Sequence, residues 1–181
     1  DKNLSFDRNI DRFLASQSIL LSIIGAPAIY IHSILGSQNY TEGVKETGRY
    51  RTVNREKLSV ERLEEELFEP TSLRSKIIKR YKYLIKIRQA QKAFHPNAYQ
   101  KVLFINDCIF SLHRQSPDGN ENIFVFINVS SNKIEVDFYP SEYGVNSHLF
   151  NELISGTELT INDGKLSLCI LPYQVMWISN I

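Results

Sequence analysis

At 181 residues, with 43% hydrophobic and 23% charged residues and a formal net charge of +1, the chain has the make-up of a globular protein of one domain or two small ones. That balance excludes an intrinsically disordered chain and supplies no global field that would draw it to nucleic acid or to an anionic membrane. The two cysteines, Cys108 and Cys169, have neither metal spacing nor the density of a disulfide framework, so they read as reduced core residues of a cytoplasmic protein.

The chain starts with Asp rather than Met, and is expected to be a processed product or a piece of something longer. Asp1, Lys2, Asp7, Arg8, Asp11 and Arg12 precede the first apolar run without the order of a secretory leader. Ser5 is a plausible helix N-cap. After it Ile10, Phe13, Leu14, Ser18 and Leu21 fall at helical spacing, with Arg8, Asp11 and Arg12 on the other side. Gly25 and Pro27 are expected to end that helix. The apolar stretch 19–35 falls short of the roughly 20 residues a membrane span requires, and it contains Ser22, Gly25, Pro27, His32 and Ser33.

Ala28 to His32 is too short for a helix after a proline. A continuous apolar run bounded by turn residues reads as a strand buried on both faces, which belongs to a parallel sheet. Helix, tight turn and buried parallel strand is a piece of a βα-repeat fold, whose chemistry collects at the C-terminal ends of strands. His32, Ser33, Gly36, Ser37 and Asn39 would lie on that rim. No second strand of this kind follows, so its neighbours are expected to come from sequence outside the chain.

Residues 39–58 are polar, with Arg49, Arg51 and Arg55 among Thr47, Gly48, Thr52 and Asn54. A long loop of this kind is usually functional or disordered. Clustered guanidinium groups suit a planar, multiply charged anion such as phosphate, which they meet with paired hydrogen bonds. The plainer alternative is a solvated loop whose arginines pair with Glu42, Glu46 and Glu56.

A short acidic helix is expected over 59–68 and a longer one over 71–93. The latter would bury Leu73, Ile77, Tyr81, Leu84 and Ile85 and leave Arg74, Lys76, Lys79, Arg80, Lys82, Lys86 and Arg88 on a solvated face. Beyond His95-Pro96-Asn97 the hydrophobic period changes to two. KVLFIN, CIFSLHRQ, NIFVFINVS, KIEVDFY and KLSLCILPYQVMWIS predict antiparallel strands, with hairpin turns at Asp118-Gly119 and Asp163-Gly164. Phe110, Phe124, Phe126, Tyr173 and Trp177 read as packing residues; a sugar-stacking platform is the alternative.

RFLASQSILLSIIGAPAIYIHSILGSQN, GVKETGRYRTVNREKLS, RQAQKAFHPNA and the closing LPYQVMWIS, in this order, resemble the C-terminal part of a sucrose-phosphorylase-type enzyme of glycoside hydrolase family 13. The ETGR…NRxK segment is similar to that of the subgroup acting on glucosylglycerate or sucrose 6-phosphate. The resemblance implies an α/β plus β architecture: the C-terminal end of a (β/α)8 barrel in residues 1–95, then an antiparallel β-sandwich domain in residues 98–181. It makes Ala28–His32 the eighth barrel strand and 71–93 the eighth helix. It further implies transfer of glucose from an α-glucoside to inorganic phosphate by a retaining double displacement.

The family's three catalytic carboxylates come from strands 4, 5 and 7, and none maps onto this chain. Arg49 and Arg55 match the GR and NR of the family's acceptor-side segment, with Asn54, Arg51 and His32 as further substrate- or phosphate-binding candidates. The longer spacer YRTV leaves Arg49 and Arg51 exchangeable in role. His32, His95, His113 and His148 are scattered without ligand spacing, so no metal or organic cofactor is implied. Neither nucleic acid nor membrane is expected as a partner. The rival reading is a self-standing binding or interaction module docking through residues 19–35.

Overall fold

A computed structural model describes residues 4–180. They divide into two compact units: residues 28–83 form one, and the segments up to Pro27 and from Leu84 onward form the other.

The second of these units opens with α1 (Phe6–Ser22), whose N-cap is Ser5, accepting from the Arg8 amide. The cap and the apolar stripe Ile10, Leu14, Ala15, Ser18 and Leu21 make this helix, as the periodicity predicts. It ends at Ser22, three residues before Gly25, with Ile23 already extended. Among the described residues no helix is long and apolar enough to cross a membrane.

Among the described residues eight strands follow: β1 (Tyr99–Asn106), β2 (Ile109–Gln115), β3 (Asn122–Asn128), β4 (Ile134–Phe138), β5 (Leu149–Glu152), β6 (Thr157–Thr160), β7 (Leu166–Ile170) and β8 (Val175–Asn180). Six form an antiparallel sheet in the order β1-β2-β3-β8-β5-β6, and β4 pairs with β7 in a second. Alternate residues of β3 and β8 (Phe124, Phe126, Met176, Ile178) meet Val136, Phe138, Leu166, Leu168 and Ile170 of the small sheet in one apolar core. The opposite face of β3 is buried as well, so its seven residues are all interior and its sequence runs apolar without alternation. On that face Trp177 donates from Nε1 to Ser22 Oγ at 3.1 Å, tying the sheet to the end of α1.

Two strands differ from expectation. Residues 165–179 form β7 and β8 in different sheets, because Pro172 cannot continue a ladder and Tyr173 adopts a left-handed φ of 58°, closed by Gln174 N–H to Leu171 C=O at 3.0 Å. The short β5 and β6 carry little apolar signal and escape the pattern. Asp163-Gly164 is the expected two-residue turn, with φ of 51° and 79° and reciprocal Asn162–Lys165 bonds. Asp118-Gly119 instead belongs to a longer connection closed by Ser116 N–H to Glu121 C=O at 2.8 Å. Neither cysteine is in the core: Cys108 is half-buried and Cys169 exposed, since its strand turns Leu168 and Ile170 inward.

Where α1 ends, two arginines are buried with no carboxylate partner among the described residues. Arg114 of β2 donates to the carbonyls of Ser22 (2.8 Å), His95 (3.0 Å) and Tyr99 (3.2 Å). Arg88 donates to those of Leu21 and Gly25, and both guanidiniums lie against the Phe94 ring. Arg88 is therefore no member of a solvated face, contrary to expectation: the free carbonyls and negative dipole end of α1 give it an interior place. Burial, then repulsion from Arg88, lowers Arg114 to about 10.

The unit of residues 28–83 is helical: α2 (Ile31–Ile34), α3 (Thr41–Thr47), a 3-10 turn over Tyr50–Asn54, α4 (Val60–Phe68), and the first part of α5 (Leu73–Ala90). Ala28–His32 is not a strand here. It carries no ladder partner, Tyr30 and Ile31 are exposed, and the chain turns helical at Ile31. A parallel strand exists only through neighbours, and the described residues contain no parallel pair. The 39–58 segment is likewise no open loop, as α3 and the 3-10 turn show. The two expected helices form, with Ser59 capping α4 and α5 stopping at Ala90.

Two outcomes follow from this packing. Arg114→Met leaves several buried carbonyls unpaired and should lower stability by about 2–4 kcal/mol in a urea titration. His113 is buried beside Asn122 and Lys101, and burial pushes its imidazole below the ordinary value. The native state then binds fewer protons than the unfolded chain, so its contribution is complete above about pH 6.5 and is lost as pH falls toward the folded value. His113→Gln should remove that component from a plot of melting temperature against pH.

Candidate functional site

Gly48 ends α3 in the left-handed conformation (φ 64°) and hands the chain to Arg49, which is extended. Arg51 lies in the 3-10 turn, Asn54 ends it and Arg55 follows it. The segment is held from behind. Tyr40 N–H donates to the Val53 carbonyl at 2.7 Å, Thr47 Oγ1 to the Gly43 carbonyl at 2.6 Å, and the Thr47 and Thr52 hydroxyls meet at 3.1 Å. Gly43 is buried beneath the Tyr40 ring: a Cβ there would stand 2.1 Å from Tyr40 Cε1 and 2.9 Å from Thr52 Cγ2. Glycine is needed here for close approach, since its φ is ordinary.

The three arginines are exposed, and none has a carboxylate partner among the described residues. Their neighbouring acids are engaged elsewhere. Glu46 accepts from the Tyr40 hydroxyl at 3.3 Å and Glu42 from Thr41 at 3.1 Å, while Glu56 lies 3.9 Å from Arg74. The Glu46 charge raises the Tyr40 phenol, and Glu42 is held below its ordinary value by its own backbone amide and then by Thr41. Self-pairing with Glu42, Glu46 and Glu56 is thus not what this fold does with Arg49, Arg51 and Arg55.

His32 stands in α2, half-buried, with Nδ1 3.0 Å from Ser37 Oγ. Its ring lies 5.3 Å from that of Tyr30, whose hydroxyl donates to the Asn54 carbonyl at 3.0 Å. Tyr30 therefore links the histidine to the end of the arginine segment. Ser37 Oγ also accepts from Arg74 Nη1 at 2.8 Å, and Arg74 donates to the Leu35 carbonyl at 3.1 Å and to the Glu66 carboxylate. Arg74, placed on a solvated face by helical pattern, is in fact mostly buried. A cation in the first turn of α5 opposes the helix dipole, and that was the available sign of a carboxylate partner. Arg74 and then Arg62 hold Glu66 below its ordinary value.

A polar cleft of about 410 Å³ opens beside Arg74, lined by Gln38, Asn39, Glu42, Glu56, Arg62 and Glu66 among others. None of His32, Arg49, Arg51, Asn54 or Arg55 lines it. In the β domain, Phe124, Phe126 and Trp177 are fully buried, so they offer no sugar-stacking surface. Among the described residues no cluster of His, Cys, Asp and Glu could hold a metal ion.

No family model matches the chain. It is 42% identical over 173 residues to a glucosylglycerate phosphorylase of Spirochaeta thermophila, a match covering 93% of this chain and 30% of that protein. The corresponding Escherichia coli protein is 35% identical over 92% of the chain and 28% of its own length. The chain thus spans less than a third of the curated relatives it matches. Among solved structures, an Anoxybacillus α-amylase superposes with a TM-score of 0.71 at 13% identity, over 99% of this chain and 33% of its own. An α-amylase of Geobacillus thermoleovorans gives 0.72 at 15%, over 94% and 33%. At such identities the likeness speaks for the fold, which is that of the C-terminal part of family 13 enzymes. The resemblance to the C-terminal part of a sucrose-phosphorylase-type enzyme of glycoside hydrolase family 13 is borne out by these matches along nearly the whole chain.

Gly43→Ala should push Tyr40 and Thr52 apart and cost about 1–3 kcal/mol locally. Amide exchange at Tyr40, Gly48 and Thr52 should accelerate while that of β3 stays unchanged.

Proposed function

We propose that this chain supplies the acceptor-side segment and the C-terminal β domain of a retaining glucosyl phosphorylase. The enzyme would move glucose from an α-glucoside to inorganic phosphate, with glucosylglycerate the favoured donor and sucrose or sucrose 6-phosphate the alternatives. The observation that carries this reading is the likeness to proteins named glucosylglycerate phosphorylase along nearly the whole chain. The exposed, unpaired guanidinium groups of Arg49, Arg51 and Arg55 support it, because such groups are free to meet an anion.

The chemistry proceeds in two displacements. A carboxylate oxygen bonds to the anomeric carbon as the glycosidic C–O bond breaks, and the leaving oxygen takes a proton from a carboxylic acid. A phosphate oxygen then bonds to the same carbon as the glucosyl ester breaks, and the proton given up by phosphate returns to the second carboxylate. Glucosyl phosphate leaves with retained configuration. The two carboxylates belong to the preceding barrel and have no counterpart here.

Residues 1–95 would complete that barrel and residues 98–181 form the accessory β domain, the whole working in the cytoplasm. Arg49 and Arg55 would hold phosphate with paired N–H donors, with Arg51 able to exchange with Arg49. Asn54 and His32 add single donors. Alone, the chain lacks the reacting carboxylates and would be inactive. The rival reading, an interaction module, has no observation in its favour beyond exposed apolar residues such as Ile24 and Ile31.

Arg55→Ala in the full-length enzyme should raise the KM for phosphate about tenfold or more, the loss of a charge-assisted contact, with much less effect on hydrolysis to free glucose. Equal losses in both reactions would contradict the assignment.

A further inference from the structure

Arg74 Nη1 donates to Ser37 Oγ at 2.8 Å, and Ser37 Oγ stands 3.0 Å from His32 Nδ1. Arginine has no acceptor, so in the first of these contacts Ser37 can only accept. Its single hydroxyl proton is then available to Nδ1, the one acceptor within reach of it among the described residues, and with Nδ1 accepting, the imidazole proton sits on Nε2. Nε2 has no partner among the described residues, and the ring is half-buried beside Tyr30. Arg74 itself cannot drift. Glu66, the Leu35 carbonyl and, at 3.9 Å, Glu56 hold it on its other sides.

We propose that Arg74 is a positioning residue: through Ser37 it locks His32 as the Nε2–H tautomer, presenting one fixed donor to an anionic oxygen of the incoming acceptor. The inference rests on the phosphorylase reading and adds to it the device that orients one of the binding groups. A preset donor costs no reorganisation when the anion arrives, whereas a histidine free to exchange tautomers presents a lone pair part of the time. Phosphate and the carboxylate of glycerate share this chemistry.

Ser37→Ala and Arg74→Gln in the full-length enzyme, labelled with 15N in its histidine rings, test the relay. His32→Asn assigns the His32 signal. Wild type should show Nε2–H as the sole His32 tautomer, and both variants should give a mixture. Their KM for phosphate, for glycerate in the reverse direction, or for both, should rise about fivefold with kcat nearly kept. In a His32→Asn background Ser37→Ala should add nothing. A His32 tautomer unchanged in Ser37→Ala, or a full additional effect in the His32→Asn background, overturns the proposal. So does an altered tautomer with both KM values unmoved. Arg74→Lys keeps the charge but not the fork; restoring the tautomer with it supports positioning by the donated bond. Failure of the phosphorylase reading would be visible separately, as a wild-type enzyme that forms no glucosyl phosphate.

Discussion

Two buried guanidinium groups, both set on the C-terminal carbonyls of α1, are the constraint on which the β-domain unit depends. Arg114 and Arg88 bring no carboxylate with them. Their charge is balanced by the carbonyls that a helix end leaves free and by its dipole, and both lie against the Phe94 ring. Trp177 completes the joint by donating to Ser22. Residues from α1, α5, β2 and β8, far apart in sequence, are thereby fixed to one helix terminus. Removing one partner would strand several polar groups at once, so the joint either forms whole or not at all.

The smaller unit uses the same physics for another purpose. Arg74 is again mostly buried and multiply bonded, but it has carboxylates, and its spare donor goes to Ser37. Structural cations are consumed by partners, while Arg49, Arg51 and Arg55 are left over on a surface that Tyr40, Gly43, Thr47 and Thr52 hold in shape. That division between satisfied and unsatisfied guanidiniums separates scaffold from candidate site.

Local signals were legible in the sequence. Ser5 and the 3.6-residue stripe foretold α1, the acidic run 59–68 foretold α4, and the two positive φ angles at Asp163-Gly164 are what such a turn demands. What was hidden depends on partners. Ala28–His32 has the composition of a buried strand, but a parallel strand is defined by neighbours that the described residues do not supply. The fold of residues 39–58 turns on Gly43 lying under Tyr40, a tertiary contact with no periodic signature. Arg74 and Arg88 sat on a face that looked solvated, and only the carbonyls and carboxylates around them reveal otherwise. The sequence set Arg49, Arg51, Asn54 and Arg55 in one segment and His32 apart from it; the Ser37–Arg74 relay that backs His32 was not legible.

The central claim is that this chain serves phosphorolysis. The most direct measurement is product analysis of the full-length enzyme given glucosylglycerate and inorganic phosphate. The account predicts α-glucose 1-phosphate and glycerate in equal amounts, with retained configuration at the anomeric carbon. Free glucose as the main product at saturating phosphate would contradict it.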